Sequence, residues 1–158
     1  MISFTNPHIS VAGLNNITGI TELLNVSYRG EASKQGWTSE AALIAGDTRA
    51  DESMVSDVMK RPGSIFLIYT GEEKKLIACV NLEQRGKKIY LGMFGVLPQL
   101  QGGGIGKQIL IASEEYALQV KCRIIYMSVI SLRTELINWY KRHGYSDTGV
   151  RIPFEEDG

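Results

Sequence analysis

The chain has 158 residues, 44% of them hydrophobic and 22% charged, which suits one core of ordinary size beneath a soluble surface. Seventeen basic residues balance seventeen acidic ones, so no global field favours a polyanion and nucleic-acid binding is not expected. Apolar stretches such as Ile124–Met127 fall far short of the ~20 residues needed to cross a bilayer, so no membrane role is expected.

Taken in chain order, the pattern opens with a short strand at Ile9–Ala12. An amphipathic helix over Ile17–Tyr28 follows, with Ile17, Ile20, Leu23, Leu24 and Ser27 on one stripe. A polar stretch, Arg29–Thr38, leads to a second helix near Ser39–Ala45, and a further helical segment at Glu52–Lys60 stops at Arg61-Pro62-Gly63. Three strands come next, Ser64–Thr70, Leu76–Gln84 and Lys88–Val96. Their connectors, Gly71–Lys74 and Arg85-Gly86-Lys87, are short, polar and glycine-bearing, which predicts an antiparallel meander. Beyond Pro98 a long helix runs from about Gly103 to Gln119, with Ile105, Ile109, Ala112, Tyr116, Ala117 and Val120 at helical spacing. Ile124–Ile130 is apolar on both faces and reads as a central, buried strand. A helix over Thr134–His143 ends at Gly144, a suitable residue just past a helix end, and a last strand covers Tyr145–Phe154. Strand, helix and strand between Lys88 and Ile130 form a parallel crossover attached to the meander. The fold class is mixed α/β, with a mixed sheet of six or seven strands and helices on both faces.

The most informative segment is Lys88–Lys107. A strand ends, a proline stops the ladder, and Gly102, Gly103, Gly104 and Gly106 crowd a helix entrance. Glycines there let the backbone approach a bulky anion and adopt positive φ. Unpaired first-turn amides and the helix dipole then face that anion, so phosphate or pyrophosphate is the expected ligand chemistry. A Walker loop fails, because Gly106-Lys107 is followed by Gln108 and the required first glycine is Gln101. A dinucleotide fingerprint also fails, since its third glycine would fall on Lys107 or Ile109.

The pattern Q/R-x-x-G-x-G/A does fit, met by Gln101, Gly104 and Gly106, with Val96-x-Pro98 before it. This resembles the cofactor motif of the GNAT superfamily of acetyl-CoA-dependent N-acetyltransferases. The segment Leu136–Tyr145, in which Trp139-Tyr140 precedes Gly144-Tyr145, is similar to a second signature of that superfamily. The resemblance spans Ser64–Phe154 and implies one domain over 1–158, with an acceptor-binding helical region at 1–61 and a cofactor-binding core at 64–154.

By resemblance, the amides of Gln101, Gly102, Gly103, Gly104, Ile105, Gly106 and Lys107 cradle the pyrophosphate of acetyl-CoA. Met93, Phe94, Gly95 and Val96 would flank its pantetheine arm where the fourth strand bulges, Gly95 suiting a bulge or a close approach of another backbone, and would offer an amide to the developing oxyanion. Tyr140 is the implied acid for the coenzyme thiolate. Glu83 is the candidate base, with Glu40 and Glu31 as rivals. Tyr28, Arg29, Trp37 and Glu40 are candidates to line the acceptor pocket. Arg133 stands where many members carry an asparagine that contacts the cofactor arm, so that contact is not carried over. Lys107, Lys141 and Arg142 are candidates for the coenzyme's 3′-phosphate. His143, in the last helical turn, is explained by the helix dipole and is given no chemistry.

The implied activity is transfer of an acetyl group to a primary amine by direct attack. A non-catalytic acyl-CoA-binding module and a transferase for a longer acyl-CoA remain as alternatives. The acceptor is a small-molecule or peptide amine, and a homodimer is common in such folds. Cys79 and Cys122 form no CxxC pair, and no ligand pairs stand at metal spacing, so reduced thiols and no metal are expected. Met1–Asn6 lacks a secretory pattern, which makes a cytoplasmic location the expectation.

Overall fold

The computed structural model describes residues 2–33, 51–100, 103–127 and 134–146. Its strands are β1 (Ile9–Val11), β2 (Ser64–Thr70), β3 (Leu76–Arg85), β4 (Lys88–Val96) and β5 (Ile124–Tyr126). Its helices are α1 (Ile17–Ser33), α2 (Glu52–Met59), α3 (Ile105–Gln119) and α4 (Thr134–Arg142). The sheet order is β1-β2-β3-β4-β5, antiparallel except for the parallel β4–β5 pair, as the meander and crossover predict.

Five strands are described, rather than six or seven. The helix near Ser39–Ala45 falls outside the described residues, as does the last predicted strand from residue 147 on, while Tyr145 belongs to the turn after α4. Of the strand read as Ile124–Ile130, Ile124–Tyr126 is described as strand, and residues 128–130 fall outside the described residues. Ile124 is 49% exposed, because β5 pairs with β4 alone among the described strands, whereas β3 lies mid-sheet. Helix α1 runs on to Ser33, past the expected Tyr28. An apolar stripe marks where a helix is covered, while its backbone bonds need no such stripe.

Period-two alternation assigns the two faces. Leu67, Ala78, Val80, Leu82, Ile89 and Leu91 pack against Ile109, Leu110, Ala112, Tyr116 and Ala117 of α3 and Tyr140 of α4. Phe66, Ile68, Ile77 and Cys79 face Ile20, Leu23 and Leu24 of α1 and Val55 and Val58 of α2. Asp51 caps α2 by accepting the Met54 amide at 2.7 Å. Among the described residues no helix is long and apolar enough to cross a membrane.

Two details hold the second helical layer in place. Helix α4 ends in a Schellman turn: Gly144 sits at φ 96°, and the amides of Tyr145 and Gly144 donate to the carbonyls of Tyr140 and Lys141. Residues Ser3–Asn6 run beside α3, where Ser3 exchanges two hydrogen bonds with Gln119, Thr5 donates to Glu115, and Asn6 donates to Gln108.

Candidate active site

The site begins with an irregularity in β4. Cys79 pairs with Gly95, but Asn81 pairs with Gly92, so Met93 and Phe94 together oppose Val80. That extra residue is a β-bulge, with Met93 at φ 45°. It exchanges the faces of the strand beyond it: Phe94 and Val96 join the α3/α4 side, and Met93 turns to the α1/α2 side. The Cys79 thiol donates to the Met93 carbonyl at 3.6 Å, tying down the kink.

The bulge lies within the Met93–Val96 stretch, and Gly95, a candidate for a bulge or a close approach, serves a close approach. A Cβ there would lie 3.3 Å from Leu24 Cδ2 and 3.4 Å from Ser27 Oγ, so the glycine lets α1 press onto β4. Ser27 is fully buried, and its hydroxyl has no hydrogen-bond partner among the described residues.

After β4 a short 3₁₀ turn, Pro98–Leu100, leads to the entrance of α3. The Gly103 amide donates to the Leu100 carbonyl. Gly104 caps the helix at φ 88°, a left-handed conformation, and a Cβ there would meet nothing within 4 Å. Gln108 is the first amide to reach a helical acceptor, the Gly104 carbonyl at 3.1 Å. The amides of Gly104, Ile105, Gly106 and Lys107 therefore precede the helical ladder, with no side-chain cap and no acidic residue in the first turn. Such an entrance presents the positive end of the helix to an anion.

Helix α4 brings Tyr140 to this region through its neighbour. The Trp139 ring lies edge-on to Phe94 at 6.0 Å, and a Cβ on Gly106 would come within 3.1 Å of Trp139 Cζ2. Trp139 thus touches both the bulge and the helix entrance, and Gly106 is needed for that approach. Tyr140, 7% exposed, packs edge-on to Trp139 at 5.2 Å and to Tyr145 at 5.9 Å. Tyr145 donates to Glu114 of α3 at 3.0 Å, and its phenol is pushed up first by burial and then by that carboxylate. His143 bonds the Trp139 main-chain carbonyl through Nδ1 at 2.7 Å, which holds its imidazole 4.3 Å from the indole.

A model of the acetyltransferase (GNAT) family matches residues 19–145. The chain belongs to that family. Solved structures share the GNAT fold at low identity. A mutant of the BH1408 protein from Bacillus halodurans superposes with a TM-score of 0.73 at 17% identity, over 92% of this chain and 97% of that one. The aminoglycoside antibiotic 6'-N-acetyltransferase AAC(6')-Ih from Acinetobacter baumannii gives 0.67 at 13%, over 93% and 95%. AAC(6')-Iy, bound to the bisubstrate analogue CoA-S-monomethyl-acetylneamine, gives 0.66 at 14%, over the same shares.

Within this GNAT chain the structure gathers Met93, Phe94, Gly95, Val96, Gly103, Gly104, Ile105, Gly106 and Tyr140 around the end of β4 and the start of α3. Lys107, Lys141 and Arg142 are exposed. Gln101, Gly102, Trp37, Glu40 and Arg133 lie outside the described residues, as do the side chains of Tyr28, Arg29 and Glu31, whose backbone belongs to α1. Glu83 stands apart, on the α1/α2 face and opposite Tyr90, between Arg61 at 3.4 Å and Arg85 at 3.4 Å. Trp139 was not read as a site residue from sequence. Its signal was available in the Trp139-Tyr140 pair set against Gly106, since a glycine on an apolar helix face invites a large neighbour.

Proposed function

We propose that this GNAT protein transfers the acetyl group of acetyl-CoA to a primary amine by direct attack. One observation carries the reading: a left-handed Gly104 opens α3 without any side-chain cap, directly after a bulged strand. The open space at Gly104 leaves its backbone accessible, and the amides of Gly104–Lys107 would hold a diphosphate. The main chain of Met93–Val96 would run beside the pantetheine arm and supply a fixed N–H to the charge developing on the acetyl oxygen. Tyr140 would protonate the departing thiolate, and Glu83 would take the amine's proton, directly or through water.

Direct attack is favoured by the cysteines. Both are buried, and burial pushes the Cys79 thiol up to about 12, so it carries negligible thiolate at neutral pH. A covalent acetyl relay would need a reactive thiolate.

The test is thiol release from acetyl-CoA against polyamines, aminoglycosides, amino acids and peptides, with CoA and ATP as competitors. Amine-dependent release blocked by CoA but not by ATP is expected. CoA binding without release by any amine identifies an acyl-CoA-binding module, and release only from longer donors identifies a different acyl transferase.

A further inference from the structure

On the α1/α2 face of the sheet, some three residues along β3 and β4 from the bulge, five side chains form a patch with its own charge pattern. Register places Glu83 opposite Tyr90 and Tyr90 opposite Tyr126, so all three project from that face, and Arg85 follows two residues after Glu83. The Arg85 guanidinium lies 4.4 Å over the Tyr90 ring and donates to the Tyr126 hydroxyl at 3.4 Å, while Tyr126 meets Tyr90 edge-on at 5.2 Å. Arg61 and Arg85 flank Glu83, one on each carboxylate oxygen. The row reads cation, anion, cation.

Position links this row to the reacting end of β4. Tyr90 is three residues before Met93, about 10 Å along a strand. Its ring leans toward the bulge, since a Cβ on Gly92 would lie 3.5 Å from Tyr90 Cε2. The Arg85 cation is carried the same way by stacking on that ring. The guanidinium is also unsaturated: Arg85 spends one N–H on Glu83 and one on Tyr126 among the described residues, out of the five a guanidinium carries. Its side chain is 46% exposed, and that of Arg61 is 53% exposed.

Two guanidiniums against one carboxylate leave the row with a net positive charge. A polycation such as an aminoglycoside would meet repulsion there, whereas a planar carboxylate would find a pre-oriented fork. We infer that the acceptor of this transferase carries a carboxylate, bound by Arg85 on the Tyr90–Tyr126 platform, about 10 Å or less from its reacting amine. Amino acids with a side-chain amine, or short peptides with a free amino end, have that span. The inference rests on the acetyltransferase reading for its reaction but not for its binding step.

The experiment compares matched ligands that differ only in the carboxylate: L-lysine against L-lysinamide, and glycylglycine against glycylglycinamide. Binding is measured by calorimetry with and without saturating CoA, on the wild-type protein and on the Arg85→Gln and Tyr126→Phe variants. At least tenfold tighter binding of the carboxylate member of a pair is expected, as for a charge-assisted hydrogen-bond pair. Arg85→Gln should abolish the preference or reverse it in favour of the amide, and Tyr126→Phe should weaken it by a smaller factor. Equal binding within both pairs, a preference untouched by Arg85→Gln, or no binding of any of the four would overturn the inference. Failure of CoA to bind, with the carboxylate preference intact, would instead remove the acetyltransferase reading and leave this one standing.

Discussion

Replacing Tyr140 by phenylalanine removes one hydroxyl and leaves the ring between Trp139 and Tyr145. If the phenol protonates the thiolate, thiol release should fall by roughly 100-fold or more, with CoA affinity unchanged. An unaltered rate would make Tyr140 a packing residue only. Two glycines at the helix entrance give a contrasting pair. Gly106→Ala puts a methyl 3.1 Å from Trp139 and 3.6 Å from Phe94, so overpacking should cost about 1–3 kcal/mol by denaturant titration. Trimming Trp139 should recover part of that loss. Gly104→Ala meets no atom within 4 Å, and its cost of about 1–2 kcal/mol should come from forcing a side chain to φ 88°; trimming Trp139 should recover none of it. The sequence shows four glycines within five residues, whereas space and dihedral angle separate Gly104 and Gly106 into different jobs.

Among the elements, β2 and β4 run from Ser64 to Thr70 and from Lys88 to Val96, as the sequence pattern indicates. Strands covered on both faces stay readable because Gly, Pro and charged turns bracket them. The bulge was harder to place. Consecutive Met93 and Phe94 break the alternation, but the break alone does not say which residue is extra until β3 supplies the register. The left-handed Glu73 and Lys74 between β2 and β3 were equally hidden, since neither residue type announces positive φ. Beneath the bulge, the Cys79 thiol makes a pH-dependent contribution. Its ordinary value of 9.0 rises to about 12 on folding, so the stabilisation is complete below pH 9 and is lost as the pH climbs toward 12. Equilibrium unfolding of Cys79→Ala should show a shallower alkaline decline than wild type, by up to one proton per molecule. Identical slopes would mean that the thiol already titrates freely in the folded chain.

For the molecule as a whole, one sheet separates two helical layers, and the bulge in β4 turns Met93 to one of them and Phe94 to the other. Its class, meander and parallel crossover were legible because hydrophobic period and turn chemistry agree along the chain. The arginine row around Glu83 was not, because Arg61, Arg85, Tyr90 and Tyr126 come from separate segments that only pairing unites. CoA held by the folded chain should raise its melting temperature by roughly 5–10 °C at a hundredfold excess over its dissociation constant. ATP at the same concentration should leave it unmoved, and an equal shift with ATP would point to a site for phosphates in general. The residues Ser3, Thr5 and Asn6 bear on the same helix from outside. They fasten to Gln119, Glu115 and Gln108, three rungs up one side of α3. An α-helix anchored along its length resists sliding on its axis, so its charged mouth keeps a fixed height above the sheet. A splint that begins one residue past the proposed diphosphate amides thereby sets how deeply that anion can settle, and loosening Ser3–Asn6 should be felt at the helix mouth.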